Sequence, residues 1–303
     1  MQLPTTHPPK RGLVDRAALI SLVGLAVLSV LGVGVVTIYL NRISTSADSM
    51  TRIGDMPDYV GRPEPVTAPG GGTVMNLLIL VDQGGTLDSV VVANLSASRR
   101  SLTLITLPAD LMVSGSGATL ASTYAIDPTI TVLAMEGLTG ARMDHQLRLN
   151  LGCLSSVIDR AGGIHLSGSL MSGADAVRQT QSAPDPQANA LGTARLIRSA
   201  LISQEQHYSS LDPSRFAAMI DDVAPCAQVD NGVTSEVVQS TFFESSIHPD
   251  ETRIWPLTTQ QSGSELSATA TSVDALRAAL ATPELSTTEQ YQQAAFLPQE
   301  AMR

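Results

Sequence analysis

Three aspartates, Asp82, Asp88 and Asp110, each lie near the end of a short apolar run. Strand ends are where α/β proteins collect ligands. An oxygen-only donor set suits Mg²⁺, which takes one or two carboxylates and fills its shell with water or phosphate oxygens. A phosphate substrate also calls for arginine, whose planar fork meets phosphate oxygens bidentately. The arginines nearest in sequence, Arg99 and Arg100, fall in a polar turn opposite the Asp82 end and read as solvated. The plainer reading of the aspartates is that they cap turns and helix starts. Spacing alone leaves both readings open.

Other chemistries are argued against by absence from the sequence. Lys10 is the only lysine, so no P-loop lysine, Schiff-base lysine or Ser-Lys dyad exists beyond the N-terminal tail. The five histidines show no His-x-x-x-His spacing, and the two cysteines form no Cys-x-x-Cys, which argues against zinc. His145 and His165 fall in expected strands and read as core or edge residues. No Gly-x-Ser-x-Gly elbow occurs. Gly70-Gly71-Gly72 precedes a strand rather than a helix, so it is no phosphate loop.

The elements that must position the aspartates begin at Met75. Met75–Val81 is an apolar run of strand length, followed by the Asp82-Gln83-Gly84-Gly85 turn. Val90–Val92 and Leu102–Leu107 read as the next two strands, with Ser114–Gly117 a loop. Asp127-Pro128 marks a helix start, with an end expected near Glu136, before Gly137. Ala141–Asn150 alternates as a half-buried strand would, and Leu151–Ile158 has helical spacing stopped by Gly162-Gly163. Further helices are expected over 173–181, 190–206, 212–223, 235–243 and 272–281, and strands at 164–166, 253–257 and 265–269. The tail from Thr282 reads as loosely ordered. Strands alternating with helices around a single core predict an α/β fold, a mixed sheet sandwiched between helices.

The chain has 303 residues, 43% hydrophobic but only 3% aromatic, so its core must be aliphatic. Ala17–Leu40 is 24 residues without a charge, long enough for one bilayer-spanning helix. Lys10, Arg11 and Arg16 precede it, which predicts a signal anchor with residues 1–16 in the cytoplasm and the rest outside. The rival, a cleaved signal peptide, draws on the small residues of Ser44–Ser49, but the apolar run exceeds a usual signal core. Asn41–Gly72, with four prolines and three consecutive glycines, reads as a linker to a domain over 73–281. Beyond residue 42 the chain holds 14 basic and 27 acidic residues, a formal charge of −13, which argues against nucleic-acid binding. An even cysteine count in an oxidising compartment predicts a Cys153–Cys226 disulfide; two unpaired buried cysteines are the alternative.

From Met75 to Leu280 the sequence resembles the LytR-CpsA-Psr family of cell-envelope proteins. Leu138–Leu166, LTGARMDHQLRLNLGCLSSVIDRAGGIHL, is similar to that family's "LTG-x-x-[ID]DH…N…LVD-x-LGGV-x-V" element, and Leu102–Asp110 resembles its "LLSIPRD". The resemblance implies transfer of a glycopolymer from a polyprenyl-pyrophosphate lipid to peptidoglycan, with Mg²⁺ on Asp82 and Asp88. It also makes Arg178 and Asp110 the catalytic candidates. The departures fall on arginines. The arginine of "PRD" is Ala109 here, and the one before the "DT" aspartate is replaced in Thr86-Leu87. The one after "GSD" is absent from Gln83-Gly84, and the "YVRSR" pair keeps only Arg178. The "R-x-x-RQQ" helix is echoed by Arg195 and Arg198 without its glutamines. The expectation is therefore a protein that binds polyprenyl-phosphate-linked glycan with an impaired catalytic site, as an accessory to an active paralogue. The alternative is an active, divergent transferase.

Overall fold

The computed structural model describes residues 50–113, 115–207, 218, 221–243 and 246–298. The expected membrane segment falls outside them, and of the helix expected over 212–223 only residues 218 and 221–223 are described, all of them helical. No described helix is long and apolar enough to cross a membrane.

Seven strands form one mixed sheet in the order β1-β10-β7-β2-β3-β4-β11. They are β1 (Thr51–Arg52), β2 (Met75–Gln83), β3 (Thr86–Leu95), β4 (Leu102–Pro108), β7 (His145–Asn150), β10 (Ala227–Val229) and β11 (Arg253–Pro256). Three two-residue to four-residue hairpins stand outside it: β5 (Met112–Val113) with β6 (Ala118–Thr119), β8 (Ile164–Leu166) with β9 (Ser169–Met171), and β12 (Thr259–Ser262) with β13 (Glu265–Ala268). The central β2 is parallel to β7 and antiparallel to β3. Its alternation sorts the core into two layers. Leu78 and Leu80 join the apolar cluster of helices α1 (Leu120–Ile126), α2 (Pro128–Thr139), α7 (Ala270–Leu280) and α8 (Glu289–Ala294). Ile79 and Val81 join that of α3 (Leu151–Arg160), α4 (Gly173–Gln181) and α5 (Pro186–His207). A further helix, α6, spans Ser235–Phe243. Each buried aliphatic side chain contributes about 1.5–3 kcal/mol to such layers.

Several boundaries move for local reasons. The helix expected to stop near Glu136 runs through Gly137 to Thr139 and ends at Gly140, whose N–H bonds to Glu136 O. The strand expected from Ala141 begins only at His145. Helix α5 begins four residues earlier than its apolar spacing suggests, because Asp185 caps it by accepting from Ala188 N and Pro186 stands first. Helix α7 starts at Ala270, two residues before the expected start at 272, because Thr269 caps it by accepting from Ser272 N. From Thr282 to residue 298 the described tail is packed, not loose: Leu285, Tyr291 and Ala295 are buried, and Phe296 bridges to Ile254. Short, polar-rich sequence hid this, since only a few residues make the contact, Tyr291 among them with its edge against Trp255.

The expected linker is anchored from residue 51 on. Thr51–Arg52 pairs with β10, and Arg62 reaches the buried Glu136 at 3.0 Å. Arg99, expected to be solvated, donates to Thr73 O and Ser96 O with its backbone at a positive φ of 56°. Cys153 and Cys226 form a disulfide with Cα atoms 5.2 Å apart, tying α3 to the residues just before β10. Closing a loop of about 70 residues is worth about 4 kcal/mol on the chain-entropy account.

Candidate active site

The aspartates are presented by the β2–β3 hairpin. Gly84 and Gly85 both take positive φ, which gives the two-residue turn whose twist matches its strands. Below the turn Asp82 pairs with Leu87, but Val81 pairs with Ser89, so Asp88 is the extra residue of a β-bulge. Bulges re-aim side chains and are common beside active sites. Asp82 follows Leu78 and Leu80 toward the first layer, where the Tyr124 hydroxyl of α1 donates to Oδ2 at 3.1 Å. Asn150 Nδ2 donates to its Oδ1 at 3.2 Å. Asp88 is turned to the other layer, accepting from Asn189 Nδ2 at 3.1 Å and Thr193 Oγ1 at 3.2 Å, both on α5.

All four donors to these carboxylates are neutral. Burial, and then the Asp82 charge, push the Tyr124 hydroxyl up to about 12, so it stays a donor throughout the physiological range. The Arg148 guanidinium, from β7, lies 5.8 Å from the Tyr124 ring centroid, and its Nε is buried without a hydrogen-bond partner. Beside Asp88, Ser89 Oγ and Asn189 Oδ1 are also buried without partners. Unsatisfied buried polar atoms are costly and call for an explanation. Arg148 Nε lies on the Tyr124 side of the sheet, the other two on the α5 side.

Asn150 does two tasks: its Oδ1 caps α3 by accepting from Cys153 N while its Nδ2 holds Asp82. Neither Asn150 nor Arg148 stood out in the sequence. Arg148 occupies the polar phase of an alternating strand, which reads as facing solvent. That strand is covered on both faces, as its neighbour Gln146, also in the polar phase and buried, makes plain. Tyr124 lies on α1, a short helix opened by a Thr119–Ser122 capping box that the sequence reading missed.

The remaining candidates are placed differently. Asp110 is exposed on the turn that closes from Leu111 N to Pro108 O. Arg178 is on the α4 surface, its side chain 74% exposed and paired with Asp175 at 3.0 Å. One turn further along α4, Gln181 donates to Gln83, so this helix does reach the Asp82 turn. Its approach to α3 depends on Gly173, where a Cβ would lie 1.9 Å from Ser155 O. Arg198 is buried and serves the backbone, donating to Thr252 O and Asp250 O, and Arg195 lies over the Phe296 ring. Ala109 is buried in the first apolar layer. Among the described residues no group of three or more His, Cys, Asp or Glu side chains is placed to hold a metal.

No protein-family profile matches the sequence, and no curated protein matches it. Solved structures do resemble it. A LytR-Csp2A-Psr enzyme from Actinomyces oris matches with a TM-score of 0.58 at 22% identity, over 77% of this chain and 97% of that one. TagT bound to LI-WTA matches with a TM-score of 0.56 at 11% identity, over 74% and 98%. TagV from B. subtilis matches with a TM-score of 0.55 at 12% identity, over 68% and 95%. At these identities the likeness is one of fold, and the fold this chain has is that of the LytR-CpsA-Psr proteins.

Proposed function

We propose that this chain is a membrane-anchored, extracytoplasmic protein that binds polyprenyl-(pyro)phosphate-linked glycans for attachment of glycopolymers to peptidoglycan, with an impaired catalytic site. The supporting observation is the imbalance at the Asp82–Asp88 edge. Two carboxylates are held there by neutral donors, while Arg148 is the arginine beside them and Arg178 is turned to solvent on Asp175. A charge-assisted contact to phosphate is worth about 1.5–3 kcal/mol. A site short of several such contacts can hold a lipid phosphate but stabilises poorly the charge that grows on a leaving phosphate.

The donor chemistry fits Mg²⁺. Asp82 and Asp88, which accept only from neutral donors and keep further lone pairs, would hold it, with pyrophosphate oxygens completing the shell. Once bound, the ion would neutralise those oxygens. Arg148 Nε, buried and unpartnered, would orient the same group from the β7 side, and the Tyr124 and Asn150 donors would fix the Asp82 carboxylate. The unpartnered Arg148 Nε also favours a second reading, an active though divergent transferase.

The binding claim is tested by the melting temperature of the full-length protein in detergent with saturating polyprenyl phosphate. A rise is expected, reduced in Arg148→Gln. No rise, where a competent paralogue gives one, would remove the reading. Protease added to protoplasts should digest the region beyond Leu40; protection of that region would remove the anchor orientation.

A further inference from the structure

A cleft of about 410 Å³ opens at the end of the sheet remote from the aspartates. It lies where the turn before β4, the approach to β11 and the α8 segment meet. Six strand steps along β4, from Leu102 to Pro108, separate it from the Asp88 end by about 20 Å. Three basic residues line it, Arg100, His248 and Arg253, against a single acid, Glu251. Among the described residues neither the Arg100 guanidinium nor the His248 ring has a hydrogen-bond or ion-pair partner. Arg253 is oriented over the Tyr291 ring at 5.7 Å and makes one long contact to Ala295 O at 3.4 Å, leaving most of its fork open.

In a chain of formal charge −10, two open arginine forks converging in one concavity are unexpected if they only solvate the surface. Guanidinium forks meet carboxylates and phosphates bidentately. Neutral groups from Ser101, Ser286 and Gln292 share the cleft and offer the exchanging donors and acceptors that a hydroxylated ligand needs. The volume falls within the usual range for small-ligand sites. We infer that this cleft binds a sugar bearing a carboxylate or phosphate group, with Arg100 and Arg253 on the anion. The site is separate from the Asp82–Asp88 edge and does not depend on catalysis there.

The chain's single tryptophan, Trp255, sits edge-on to Tyr291 at 6.4 Å between ring centroids, so its fluorescence reports on the cleft. Full-length protein in detergent is titrated with glucose 1-phosphate, with glucuronate and with glucose. A saturable change is expected with one or both anionic sugars and none with glucose, and which anion binds tells phosphate from carboxylate recognition. Arg100→Gln, at an exposed position, should weaken binding about tenfold or more, as should Arg253→Gln, while Asp82→Ala leaves it unchanged. The inference is overturned by the absence of any saturable change, by equal binding of glucose, or by retained affinity in Arg100→Gln. Loss of binding in Asp82→Ala would also overturn it, by moving the anion to the other end of the sheet.

Discussion

Glu136, Asp144 and Asp230 cluster around the start of β7, while Asp82 and Asp88 stand at the opposite end of the sheet. At the first end the carboxylates are answered by arginine, histidine, tyrosine and backbone N–H groups. Glu136 accepts from Arg62 Nε and Nη2, from Tyr59 Oη at 2.8 Å and from Met143 N at 2.9 Å. Asp230 accepts from Gln146 N and Gly232 N, both at 2.7 Å, and faces His145 Nδ1 at 3.3 Å. Asp144 holds Asn76 N at 2.8 Å and pairs with Arg142. At the second end the carboxylates have only amide and hydroxyl donors, and the nearby arginine is unpartnered at Nε. The same residue type is a structural lock at one end and a group with spare bonding capacity at the other. What separates them is the donors: guanidinium, imidazole and backbone N–H groups at the first end, neutral side-chain amides and hydroxyls at the second.

The comparison predicts opposite responses to mutation. Glu136→Ala strands the Arg62 charge in a buried position and should cost about 3–5 kcal/mol of stability, read by denaturant unfolding. Ala109→Arg, which restores the arginine position of the resembled motif, forces a charge into the first apolar layer. It should destabilise by about 1–3 kcal/mol without gaining transfer activity, because groups acting on one charge are strongly non-additive. Tyr124→Phe removes one donor to Asp82 and should cost about 1 kcal/mol. A loss at Tyr124 as large as that at Glu136 would collapse the distinction between the two ends.

Acid sharpens the first end. Burial raises the Asp230 carboxyl, but the hydrogen bonds from His145, Gln146 and Gly232 outweigh it and hold its pKa below the ordinary value. Its stabilisation is present above the unfolded value and is lost as pH falls through the lower folded one. Asp144 has the opposite sign: burial is the largest effect and raises its pKa, so its charged form penalises the fold, and the penalty is relieved as pH falls through that raised value. Unfolding free energies across that acid range should therefore converge with wild type in Asp230→Asn. In Asp144→Asn they should shift the other way. Parallel curves for the two variants would contradict the signs.

The lock and the site were unequally legible in the sequence. Asp82 and Asp88 could be picked out because they flank a Gly-Gly turn between two apolar runs, a purely local signal. Their partners could not. Tyr124 is on a seven-residue helix, Asn189 and Thr193 come from a helix more than a hundred residues away, and Arg148 was masked by an alternation that usually means solvent. The Arg62–Glu136 lock joins a proline-rich stretch to a helix 74 residues later, a pairing no local pattern encodes. The core layers were readable because β2 alternates cleanly, whereas the late tail was not, since its packing rests on a few residues such as Tyr291.

The central claim is that the Asp82–Asp88 end binds its ligand but turns it over poorly. The most direct measurement gives the purified full-length protein a lipid-pyrophosphate glycan, a peptidoglycan acceptor and Mg²⁺, beside an active paralogue, and follows both lipid binding and glycan transfer. Binding with transfer absent or barely measurable is the predicted result. Transfer within about tenfold of the paralogue, a rate gap of only about 1.4 kcal/mol, and abolished by Asp82→Ala, would contradict it.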